Sequence, residues 1–105
     1  MRYEIVLAPA AATTFKSLSA RLRATVRDSL ERHLRHQPTR VSKSRIQRLR
    51  GRSRPQYRLR ILDMRVFYDV TKREVQVLAI VRKDEAQRWL EAEGIRGEEG
   101  GAREG

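Results

Sequence analysis

Apolar positions along the chain change period twice, and those changes mark out its elements. Tyr3, Ile5 and Leu7 alternate with polar or small neighbours, the spacing of a half-buried strand over residues 2–8. Pro9 ends that strand and suits the first turn of a helix. Phe15, Leu18 and Leu22 follow at helical spacing, and Leu22, Val26, Leu30 and Leu34 then recur every four residues. Arg21, Arg23, Arg27, Arg32 and Arg35 lie off this stripe, so residues 9–37 are predicted as a helical pair or one bent helix with a basic exterior. Gln37-Pro38 stops it. Residues 39–55 have no clear period, although Ile46 and Leu49 are expected to reach back to a core.

Two alternating stretches, 56–62 and 64–71, read as strands. A third, 74–82, holds Val75, Val77, Leu78, Ile80 and Val81, the near-continuous apolar run of a central strand buried on both faces. Asp84 is placed as the N-cap of a short helix ending near Glu93, with Gln87 in a capping-box position and Gly94 just past the end. The order β-α-α-β-β-β-α predicts an α+β domain, its helices on one face of a small, mainly antiparallel sheet. With Leu62-Asp63 as a two-residue turn, Ile61 faces Met64, Leu59 faces Val66 and Tyr57 faces Tyr68, all toward the core. On the other face Arg60 then stands opposite Arg65, and Arg58 opposite Phe67. Like charges so opposed cost about 0.2–1 kcal/mol, which is tolerable where an anion normally sits between them. A guanidinium fork fits phosphate, and Phe67 offers either a flat surface for a base or a residue buried under the last helix with Leu78 and Ile80. Arg82, read on the same parity as Arg65, would extend this basic face.

Composition sharpens that picture. At 105 residues the chain is one domain, here residues 1–93, followed by a Gly- and Glu-rich tail over 94–105 expected to be disordered. It has no cysteine and two histidines, which argues against a disulfide scaffold, a thiolate metal site or a structural zinc. No apolar run approaches the roughly 18 residues of a membrane span, and residues 1–5 open straight into strand pattern, so a cytoplasmic domain is expected. The formal net charge is +11, and residues 40–65 concentrate it, with ten basic groups and Asp63 as their one acid. Such a block implies a polyanionic partner. Arg45, Arg48, Arg50, Arg52 and Arg54 are therefore candidate RNA contacts beside the hairpin arginines.

Four segments carry a family resemblance. They are Ile46-x-x-Leu49-x-Gly51, Tyr57-Arg58-Leu59-Arg60, Asp63-Met64-Arg65-Val66-Phe67-Tyr68-Asp69-Val70 and Val77-Leu78-Ala79-Ile80-Val81-Arg82-Lys83. Over about residues 2–93 the chain resembles the RelE/ParE toxins of bacterial type II toxin–antitoxin modules. Members resembling RelE cut messenger RNA in the ribosomal A site, with the ribose 2′-OH as nucleophile. Members resembling ParE poison DNA gyrase and cut nothing. The resemblance implies that Arg58, Arg60 and Arg65 surround the scissile phosphate, with Arg82 or Lys83 and the aromatic Trp89 completing the site. Where relatives often carry a tyrosine or histidine, Trp89 cannot titrate, and it is also suited to anchoring the last helix. Lys83 is then the candidate acid or base. The implied partners are a cognate antitoxin, laying an acidic segment on the basic face or the helical pair, and the ribosome with its mRNA. No metal and no cofactor is implied. A ParE-like gyrase inhibitor and a basic RNA-binding or inactive toxin that only binds its antitoxin are the alternatives.

Overall fold

Strand β1 (Glu4–Leu7) gives way at Ala8 to Pro9, which opens helix α1 (Pro9–Ser17) where a missing N–H costs nothing. A computed structural model of the chain describes residues 1–96. Leu18 and Ser19 are extended, and the Ser19 hydroxyl accepts the Leu22 N–H at 3.2 Å to cap α2 (Ala20–Leu34). The helical region is thus a pair, and Val26, Leu30 and Leu34 of the expected stripe are buried. The described helices include none long and apolar enough to cross a membrane.

After α2 come β2 (Ile46–Arg48), β3 (Arg52–Arg54), β4 (Tyr57–Ile61), β5 (Met64–Val70), β6 (Glu74–Arg82), α3 (Ala86–Glu93) and β7 (Ile95–Arg96). The main sheet has the order β1-β6-β5-β4-β2, parallel between β1 and β6 and antiparallel elsewhere. Gly51, between β2 and β3, takes a φ of 74°, a left-handed conformation that side chains disfavour. Strand β3 pairs with β7, so the first residues of the expected disordered tail are in fact a strand, while residues 97–105 lie outside the described residues. The last helix also starts differently. Lys83–Glu85 forms a 3-10 turn and Asp84 makes no cap, so α3 begins at Ala86. Gly94 is extended, with φ −73°, yet a Cβ there would sit 2.6 Å from the Leu90 carbonyl oxygen, so close backbone approach is what demands glycine.

The β4–β5 hairpin has the predicted register, pair for pair from Tyr57–Tyr68 to Ile61–Met64. Its turn holds Leu62 at φ 52°, where a leucine is strained, and the side chain is exposed. Leu62→Gly is accordingly expected to raise unfolding stability by about 1 kcal/mol, read from the denaturant midpoint. An unchanged or lowered midpoint would remove the strain argument.

Along β6, Phe67 pairs with Ala79 but Tyr68 pairs with Val77, which leaves Leu78 as an extra residue in a bulge. The bulge lets one apolar run feed two cores. Val75, Val77 and Ile80 join Leu59, Val66 and Tyr68 under α1 and α2. Ala79 joins Phe67 on the opposite face, beneath Ala86 and Leu90 of α3. Helices therefore cover both faces of the sheet, where the pattern had suggested one. Buried Tyr68 stacks on Tyr57 with ring centres 5.5 Å apart and donates to the Pro38 carbonyl at 2.7 Å. This ties the segment after α2 to the sheet, and burial pushes the Tyr68 hydroxyl far above the usual tyrosine range.

Candidate phosphate-binding cleft

Alternation along β4 and β5 turns Arg58, Arg60 and Arg65 to the face away from the helical pair, beyond the area that α3 covers. Edge strand β2 adds Gln47 to that face, and its side-chain Oε1 accepts from the Arg58 guanidinium. The segment before β2 folds over the edge. The Ser42 hydroxyl accepts the N–H groups of Arg45 and Ile46 at 3.0 and 3.3 Å. Arg60 donates its N–H to the Arg45 carbonyl at 2.9 Å, and the Arg45 guanidinium returns a bond to the Arg60 carbonyl at 3.4 Å. The result is a cleft of about 320 Å³ whose lining carries Lys43, Arg45, Arg58, Arg60 and Arg65 and no carboxylate.

Burial, followed by the charges of Arg60 and Arg58, pulls the Arg65 guanidinium below the usual arginine range, with Asp63 opposing them. The same side chain is held in place, donating to the carbonyls of Leu62 and Met64 at 3.1 and 2.9 Å. A fixed guanidinium that neighbouring cations make costly is stabilised by any anion entering the cleft. Lys43 and the serines of this segment escape a reading by parity, because they sit in a loop. Their one signal in the sequence is the basic block to which Lys43 belongs.

The other expected contacts lie elsewhere. Phe67 is fully buried, with Trp89 stacked on it at 4.9 Å, so it offers no face to a base, and Trp89 anchors α3. Arg48 lies over the Tyr57 ring at 5.0 Å, on the helix-facing side of the sheet. Arg54 pairs at 2.8 Å with buried Asp69, whose other oxygen accepts the Gln56 N–H at 2.8 Å, a structural clasp. Arg52 runs along Gly94 at the end of α3, and exposed Arg50 does not line the cleft. Arg82 pairs in register with Met64 of the helix-side core, so it leaves the Arg65 face, and it lies 3.5 Å from Asp84. Lys83 is 3.6 Å from Asp63 at the hairpin turn and is not part of the cleft lining. The structure thus gathers Arg45, Arg58, Arg60 and Arg65 of the expected set, adds Lys43, and disperses the rest.

A five-stranded mixed sheet with paired helices on one side and a cationic cleft at its β2 edge defines a small α+β protein of RelE-like architecture. Its likeness to solved structures is to a chain of the archaeal RelE–RelB complex from Pyrococcus horikoshii OT3, 24% identical with a TM-score of 0.60, covering 79% of this chain and 97% of that one. It extends to the toxin–antitoxin complex RelBE2 from Mycobacterium tuberculosis, 22% identical with a TM-score of 0.55, covering 78% of this chain and 99% of that one. Neither a protein-family model nor a curated protein matches the sequence, so the likeness is one of fold.

Proposed function

We propose that this chain is the toxin of a type II toxin–antitoxin pair, acting in the cytoplasm by cutting messenger RNA on translating ribosomes. The observation that carries this reading is the cleft of five cations without a carboxylate, set in a RelE-like fold. In the reaction, the ribose 2′-OH gives its proton to solvent water as its oxygen attacks the adjacent phosphorus, the bond from phosphorus to the 5′ oxygen breaks, and that oxygen takes up a proton, leaving a 2′,3′-cyclic phosphate and a 5′-hydroxyl. Negative charge gathers on the phosphoryl oxygens as the new bond forms. Arg58, Arg60 and Arg65 meet that charge with donors already in position, a term that dominates many such reactions. Guanidiniums keep their protons, so the Lys43 ammonium is the lining group suited to protonating the departing 5′ oxygen. The partner is an antitoxin that covers the cleft with acidic side chains, as suits a net charge of +11.

The test is a map of RNA 5′ ends after a brief pulse of expression, with translation running and with it blocked. New ends inside reading frames are expected, and they should vanish when translation stops. Growth arrest without new ends would overturn the nuclease reading. A second reading, a gyrase inhibitor that cuts nothing, draws on the cleft's lining, which has no histidine, tyrosine or carboxylate to take the 2′ proton. That reading expects DNA breaks in place of RNA ends.

A further inference from the structure

Across the β2 edge from the cleft lies a groove of about 450 Å³, between the end of α2 and the segment leading into β2. The two cavities share Ser42, Arg45 and Ile46, so they adjoin at the β2 edge. The groove adds Arg32 and His33 from α2, and His36 and Arg40 beyond it, and it too has no carboxylate in its lining. Arg40 donates to the Gln37 side chain at 3.0 Å, and His36 Nδ1 lies 3.1 Å from the Met1 carbonyl oxygen. The Arg32 guanidinium has no hydrogen bond or ion pair among the described residues.

The cleft suits a phosphate but offers no ring to a base, because Phe67 is sealed under Trp89. The groove holds what the cleft lacks. Imidazoles are among the rings on which unpaired RNA bases stack, and guanidiniums hold the backbone between them. We propose that the groove is a nucleotide subsite: single-stranded RNA crosses the β2 edge, its next phosphate among Arg32, Arg40 and Arg45 and its base against His33 and His36. This rests on the RNA reading above. An acidic peptide would use the cations but not the rings, and Arg45, which lines both cavities, favours one strand passing from one to the other.

Proton linkage accompanies this binding. Burial first, then Arg45 and Arg32, hold His33 below the usual histidine range, so it is neutral at pH 7 in the free protein. The titratable and charged groups around it are Arg32 and Asp28 on α2, His36 just past its end, and Arg40 and Arg45 across the groove; Asp28 belongs to an adjoining recess. A phosphate among these guanidiniums favours the imidazolium, so affinity rises as pH falls toward the ordinary histidine range.

The experiment compares 2′-O-methyl oligoribonucleotides, which cannot be cut, as a dinucleotide and a tetranucleotide. Fluorescence anisotropy should find the tetranucleotide bound about tenfold more tightly or better. The double substitution Arg32→Ala with Arg40→Ala, both exposed positions, should remove that advantage and leave dinucleotide affinity unchanged. It should also flatten the salt dependence by about 0.7 log units for each phosphate the variant no longer holds. His33→Ala should reduce the rise in tetranucleotide affinity at low pH. Equal affinity for both lengths, or a double variant that weakens both alike, overturns the subsite. If dinucleotide binding still depends on Arg65, the cleft reading survives that result; if neither RNA binds, both fall. Capture of a polyglutamate peptide that needs Arg32 and Arg40, without any RNA length effect, would assign the groove to an acidic protein segment and overturn the proposal.

Discussion

On the proposed nuclease reading, Arg65→Ala is expected to slow RNA cleavage by about 10²–10³-fold, the usual loss when one positioned donor to a developing oxyanion is removed. Arg65 is the hairpin arginine that burial and its neighbours make costliest to keep charged without an anion, and two carbonyls fix its direction. Its removal relieves repulsion with Arg60 and Arg58 in the free protein, so the fold should hold or gain slightly while the chemistry fails. Cleavage of a reporter mRNA in a reconstituted translation reaction measures the first effect, and thermal melting the second. The variant should still co-purify with its antitoxin. Arg65→Lys should recover only part of the rate, since an ammonium cannot make the two parallel bonds of the guanidinium fork. A rate within a few-fold of the parent would remove Arg65 from the reaction.

Phe67→Ala should act on stability instead. The ring is fully buried between Ala79 of the sheet and the Trp89 indole, and its loss leaves a cavity under α3. Such truncations cost about 3–5 kcal/mol, a large part of the 5–15 kcal/mol that holds a typical domain together. Urea unfolding should therefore show a sharply lowered midpoint with little change in slope. A loss under about 1 kcal/mol would mean the ring is not the keystone of the second core. It would also reopen the idea that Phe67 serves bases.

Phe67 and Arg82 show where the sequence is readable and where it stops. Within the β4–β5 hairpin, a two-residue turn and a side-chain period of two fix every pair, so the meeting of Arg58, Arg60 and Arg65 on one face follows from counting. Counting across to β6 fails at one residue. Without the bulge at Leu78, Phe67 would share a face with Leu78, Ile80 and Arg82, which is what parity predicts. The extra residue flips every side chain after it, sending Ile80 to the helix-side core and Arg82 away from Arg65. Nothing local announces that bulge, since valine, leucine and isoleucine all suit either core. Strands β2, β3 and β7 escape notice for another reason: two or three residues are too few to display a period. Arg54 reads as one more surface cation because its partner, Asp69, lies fifteen residues away and meets it only in the folded chain.

The parallel pairing of β1 with β6 puts Glu4 beside Glu74, far apart along the chain. A chain grows from its N-terminus, so β1 is made first and then waits through the synthesis of both helices and the hairpin before its partner strand exists. The helical pair can form early from local contacts, but the sheet that orients the arginines cannot close until residues 74–82 emerge. The cationic cleft is thus kept unassembled during most of the chain's own translation, and shortening the chain from the N-terminus would strip β6 of its neighbour and expose a long apolar strand edge to aggregation.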